Sequence, residues 1–346
     1  MNRSIWAWVR VLGGVGILAV LLWRLGTGAF LDGLRVIDGP ALALAFTIGV
    51  ATTVFSAWRW CLVARGLGMT LSLRGAIADY YKALFINAAL PGGVLGDVDR
   101  AVQHGREEGD VGRSVRAVVL ERTAGQVVLV SVGVTVLLTV PSPVLSHLQA
   151  NARGLAVAAA ITAGLAALGV FFVGRLRSGA SRWARAARTG VTEVRAGLLS
   201  RRNWPGIVLA STVVLAGHLA TFVVAARAAG SEASLLRLAP LMLLALLSMA
   251  LPVNIGGWGP REGVTAWAFG AAGLSATQGL TIAVVYGLFA FVAALPGLVV
   301  IVTRAVAGAR AKARIRAAAV VTAAEPVVVP PQKLMLPVRE LVSTGA

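Results

Sequence analysis

The chain has 346 residues, 58% of them hydrophobic and 13% charged, with a mean hydropathy of +0.82. A soluble domain carries about 25% charged residues, so this composition excludes a soluble globular protein. It predicts an all-α integral membrane protein, the form in which each span satisfies its own backbone. The net charge of +18 then serves loop topology and contact with anionic lipid at cytoplasmic loops, not nucleic acid.

Six apolar runs near the roughly 20 residues that a crossing needs predict full spans over residues 11–25, 40–63, 117–140, 155–173, 207–226 and 280–302. The first follows Arg3 and Arg10 and lacks a small-residue cleavage site after it, so it reads as an uncleaved anchor. Pro141 and Pro143 end the third. Two further apolar regions, residues 76–98 and 235–267, are broken by proline, glycine and charge. The arginines at 175–202, those at 100–116 and the basic run after residue 302 all fall on one side, which the positive-inside rule makes cytoplasmic. Both termini are then cytoplasmic, in a multi-pass protein of the plasma (inner) membrane. Residues 1–305 form the transmembrane domain, and residues 306–346 a basic, then proline-rich mobile tail without helical period from residue 317.

The two broken regions share a pattern. "ALPGGVLGDVDR" (residues 89–100) and "ALPVNIGGWGPR" (residues 250–261) align Pro91 with Pro252 and Arg100 with Arg261. An odd number of predicted spans separates the copies, so one dips in from each side, as an inverted repeat of re-entrant or broken helices. Proline ends a helix and the glycines Gly92, Gly93, Gly96, Gly256 and Gly257 let the chain turn. A helix restarting after the turn offers free amides to an anion, and Arg100 or Arg261 adds a planar fork suited to phosphate. The competing reading has the glycines serving close helix packing and the arginines reaching to headgroups. Asp97 and Glu262 balance the arginines or carry a proton, and Asn87 and Asn254 satisfy interrupted backbone.

Other polar residues fall in or beside spans. Arg59, Glu121, Arg122 and His218 are candidates for buried polar support, with snorkelling or a helix–helix hydrogen bond as the plainer roles. Asp79, Tyr80, Tyr81 and Lys82 read as an interfacial belt. The single Cys61 excludes a disulfide framework or thiolate cluster, and the three histidines have no ligand spacing, so no metal or cofactor is expected.

The motifs "PGGVLGDVDR" and "LPVNIGGWGPREG", with "AWRW" at residues 57–60, resemble the membrane domain of lysylphosphatidylglycerol synthases over about residues 5–305. The resemblance implies a lipid flippase, here as a stand-alone member without the soluble aminoacyltransferase domain. The expected substrate is a phosphate-bearing lipid, either a phospholipid or a polyprenyl phosphate. The alternatives are a membrane-embedded transferase and a non-catalytic scaffold for a lipid- or glycan-modifying enzyme. A homo-oligomer is compatible with either.

Overall fold

The computed structural model describes residues 35–90, 93–142, 182–250 and 258–324, with a few isolated positions beside them, and leaves the side chains of 182–188 and 316–324 aside. The predicted spans at 11–25 and 155–173 lie outside the described residues, as do Pro91, Gly92, Pro252, Asn254, Gly256, Gly257 and the proline-rich end of the tail.

The described elements are all helical: α1 (Gly39–Gly66), α2 (Leu73–Ala89), α3 (Leu95–Glu107), α4 (Val111–Thr139), α5 (Arg182–Gly197), α6 (Trp204–Ala228), α7 (Leu235–Ser248), α8 (Pro260–Ala271), α9 (Ala276–Ala294) and α10 (Pro296–Ala324). Their starts follow from local chemistry. Asp38, Ser72, Asp110, Ser234 and Ser275 each accept a hydrogen bond from a backbone amide in the first turn of α1, α2, α4, α7 and α9. Such caps satisfy donors that have no partner within the helix.

Four helical stretches are long and apolar enough to cross a membrane: Gly39–Gly66, Val111–Thr139, Trp204–Ala228 and Ala276–Ile315. They contain the runs predicted at 40–63, 207–226 and 280–302, and all but the last residue of the run at 117–140. Valines such as Val119, Val127 and Val134 on α4 stay exposed, an apolar exterior that hydrocarbon tolerates and water does not. The last stretch departs from the sequence reading in two ways. It is interrupted at Leu295, where Pro296 opens α10. It also stays helical to Ala324, past residue 317, because "AAAVVTAA" extends an existing helix and bears no nucleation cost.

Neighbour relations within residues 1–301 repeat. In one half α1 packs on α2 and α4, α2 on α3, and α3 on α4; in the other α6 packs on α7 and α9, α7 on α8, and α8 on α9. Across the halves α1 packs on α6, while α4 meets α6 and α7 just as α9 meets α1 and α2. Exchanging α1 with α6, α2 with α7, α3 with α8 and α4 with α9 maps each of these contacts onto another, the signature of a pseudo-two-fold. The α1–α6 seam at its centre is close because Gly217 faces Thr52 with no room for a Cβ. The largest apolar core gathers Phe222, Leu238, Leu241, Phe269, Ile282 and Phe289 from α6 to α9. A smaller cluster around Trp60, Tyr80, Ala101 and Val118 joins α1 to α4.

By contact density the chain divides into two compact units, residues 1–301 and 302–346. In the second, the described part is the continuation of α10, with Arg310, Lys312 and Arg314 exposed.

Candidate functional site

Both short helix pairs are interrupted by a left-handed glycine. Gly93 (φ 59°) precedes α3 and Gly259 (φ 110°) precedes α8, backbone conformations that a side chain rarely adopts. Each restarted helix then carries one acid in its first turn, Asp97 in α3 and Glu262 in α8. By helix start it is these acids that correspond. Arg100 is the sixth residue of α3 and Arg261 the second of α8, so the sequence overlay of the two arginines does not survive as structural equivalence.

The first break is held by side chains. Asn87 at the end of α2 accepts from the Gly96 amide at 2.7 Å and donates to Asp97 Oδ2 at 3.0 Å. Gly96 itself packs so tightly on the Ala83 carbonyl that a Cβ would collide with backbone. Asp97 also accepts from Arg100 Nε at 3.0 Å and pairs with Arg122.

Behind this sits Glu121, which is fully buried. One oxygen accepts from Arg59 Nε at 2.9 Å and Nη2 at 2.6 Å, and from the Tyr80 hydroxyl at 3.3 Å. The other accepts from Arg100 Nη2 at 2.8 Å. The Arg100 guanidinium lies between the rings of Trp60 and Tyr80, 4.6 Å from each centroid. Arg59 reaches across the seam to donate to Ser211 of α6 at 3.0 Å. A buried charge costs several kcal/mol unless paired and hydrogen-bonded; here Arg59, Arg100 and Arg261 each have a carboxylate, and Asp97, Glu121 and Glu262 each have at least one arginine.

The second break is simpler. Glu262 reaches back to the start of α8, accepting from the Gly259 amide at 2.7 Å, the half of a capping box that a glycine N-cap allows, and it pairs with Arg261. Arg261 stands near the faces of Trp258 and Tyr286, at 5.1 and 5.2 Å. His218 Nδ1 and the Tyr286 hydroxyl lie 2.9 Å apart.

Between the two breaks lies a cavity of about 390 Å³. Among the described residues its charged lining consists of Arg59, Arg122 and Arg261, and no carboxylate lines it. The acids point into the protein behind their arginines, so the walls present guanidinium to the lumen. In a space walled by low-dielectric protein such an arrangement suits an anion.

The sequence candidates divide accordingly. Gly93, Arg261, Arg59, Arg122 and His218 line the cavity; Gly96, Asp97, Arg100, Glu121 and Glu262 stand behind the lining and hold it. Gly92, Gly256, Gly257 and Asn254 lie outside the described residues. Tyr80 departs from the interfacial reading: it is 8% exposed and bonded to Glu121, and its neighbours Asp79 and Tyr81 are buried as well. The signal was present, since Ala76, Tyr80, Ala83 and Asn87 recur at helical spacing on one face of α2. Trp258 falls inside the second broken motif, but nothing local marked Ser211 or Tyr286 as lining residues.

Fold and site together define a polytopic helical membrane protein with a paired-break architecture and a cationic internal cavity. The chain belongs to the lysylphosphatidylglycerol synthase TM region family, whose description matches residues 7–297. No curated protein matches the chain.

Proposed function

We propose that the protein moves a phosphate-bearing lipid between the leaflets of the plasma membrane, without covalent chemistry. One observation carries the reading: the cavity between the two breaks is walled by Arg59, Arg122 and Arg261 with every nearby carboxylate turned away from it. A phosphate would replace its water with these guanidinium forks while its acyl or prenyl chains stay in lipid. A transferase would need a base at the reacting group; the carboxylates here are committed to arginines, and His218 on the lining is engaged with the Tyr286 hydroxyl at 2.9 Å.

The architecture supports the same reading. At 1.5 Å per residue α2 and α3 extend about 25 and 20 Å, and α7 and α8 about 21 and 18 Å, each short of the roughly 30 Å hydrocarbon core. We take both pairs as re-entrant hairpins beside six full spans. With the span that hydropathy predicts at 155–173 between α4 and α6, helices α1 and α6 would run oppositely, which would make the pseudo-two-fold an inverted repeat with its site at mid-depth. Arginines at 175–202 and after residue 302 put both termini in the cytoplasm.

The test is leaflet exchange of a labelled phospholipid in proteoliposomes, read by accessibility of the label to an impermeant quencher. The parent protein exchanges lipid faster than protein-free vesicles, and an Arg122→Gln, Arg261→Gln double variant does so at least tenfold more slowly, as the loss of about 1.5–3 kcal/mol per charged hydrogen bond requires. A folded double variant working at the parent rate overturns the site.

A further inference from the structure

Several buried side chains near the base of α3 hold polar atoms that the protein itself does not meet. Among the described residues, Trp60 Nε1, Arg100 Nη1, His104 Nε2 and Ser114 Oγ have no hydrogen-bond partner; a further such atom, Asp99 Oδ2, faces Lys82 Nζ at 2.7 Å. The first four belong to α1, α3 and α4, and their residues are 0–3% exposed, so the place is sealed from bulk solvent. They are also neighbours. The Arg100 guanidinium lies over the Trp60 ring at 4.6 Å, and the His104 imidazole meets the same ring edge-on at 5.7 Å. Arg100 and His104 are one turn apart on α3. Gly105, next to His104, packs against α4, where a Cβ added to it would stand 3.1 Å from the Ser114 Cβ.

We infer that Trp60, Arg100, His104 and Ser114 together bind one ordered water molecule. The site is separate from the cavity, whose lining includes none of them, and it does not depend on the transport reading. Buried polar groups without a partner are rare, because each keeps its desolvation cost with nothing to offset it.

The donor inventory selects the molecule. Trp60 Nε1 and Arg100 Nη1 can only donate, whereas the Ser114 hydroxyl and a neutral imidazole nitrogen can accept. A water molecule accepts two hydrogen bonds and donates two, so it meets all four groups, within the two to four contacts usual for buried water. This assignment places the His104 proton on Nδ1. An anion fits less well. The Arg100 charge is already met by Asp97 at 2.9 Å and Glu121 at 2.8 Å, and an anion would bury a further charge beside those carboxylates. The water also completes the Arg100 fork, whose Nε and Nη2 are taken by the same two acids. Through it α3, the helix that follows the first break, is joined to α1 at Trp60 and to α4 at Ser114.

The test is a high-resolution crystal structure of the full-length parent protein, grown with bromide in place of chloride, together with a double-mutant cycle. A density peak without anomalous signal is expected within about 2.7–3.2 Å of at least three of the four atoms. Trp60→Phe keeps an aromatic ring, and Ser114→Ala removes only a hydroxyl. Each lowers the thermal midpoint in detergent by about 2–6 °C. Together they lower it by clearly less than the sum, because both act through the same water. Ordered water elsewhere in the interior with none at this place overturns the inference, and so do direct hydrogen bonds among the four side chains. An anomalous bromide peak there identifies an anion site and overturns it as well. Additive losses in the cycle count against it equally, and the parent structure decides the matter even where a variant does not fold.

Discussion

Glu121 is the point at which the pairing scheme is most exposed to test. Glu121→Gln keeps the shape and removes the charge. Arg59 and Arg100, with side chains 7% and 1% exposed, would then have Asp97 as their one carboxylate, with the Ser211 hydroxyl and the new amide oxygen as neutral acceptors. Removing one partner of a buried ion pair costs about 3–5 kcal/mol. Asp97 still compensates Arg100, so the lower end, about 3 kcal/mol, is expected. At roughly 2–4 °C per kcal/mol for a chain of this size class, the thermal midpoint in detergent falls by about 6–12 °C. Adding Arg59→Met should recover about half of the loss, because it removes the orphaned cation rather than another contact; a double-mutant cycle separates this coupling from two independent injuries. A Glu121→Gln midpoint within about 1 °C of the parent, or an Arg59→Met addition that only destabilises further, would refute the view that this carboxylate neutralises two buried arginines.

Three further outcomes follow from named contacts. Arg100→Lys places one point charge where a planar fork now meets Asp97 and Glu121, so stability should fall by about 1.5–3 kcal/mol in chemical unfolding, the worth of one charged hydrogen bond. Gly96→Ala drives a methyl into the Ala83 carbonyl and should cost about 1–3 kcal/mol by the same measurement while the neighbouring Gly109→Ala, with open space around its Cβ, serves as a backbone-strain control. Cysteine introduced by Arg188→Cys should resist impermeant maleimide in intact cells, whereas one at Ser142 should react; labelling at position 188 from outside reverses the proposed orientation.

Hydropathy and loop charge are local and additive, which is why the sequence alone determines that the protein is helical and membrane-embedded, where the four described long helices run, and that two regions break. Apolar runs of about 20 residues admit one outcome in lipid, and the glycine-proline interruptions at 91–93 and 256–259 announce themselves. Pairing is another matter. Arg59 finds Glu121 across 62 residues and Ser211 across 152, and no spacing rule encodes such partners. The overlay that set Arg100 against Arg261 counts residues from proline, whereas the chain counts from the helix start, and the two registers differ by four positions. Which arginines face the cavity is decided by where the acids sit. Asp97 and Glu121 draw Arg100 back between Trp60 and Tyr80, and leave Arg59 and Arg122 at the wall. A guanidinium costs too much in low dielectric to stand without a carboxylate, so tertiary packing, in placing the carboxylates, decides which guanidinium groups reach the cavity wall.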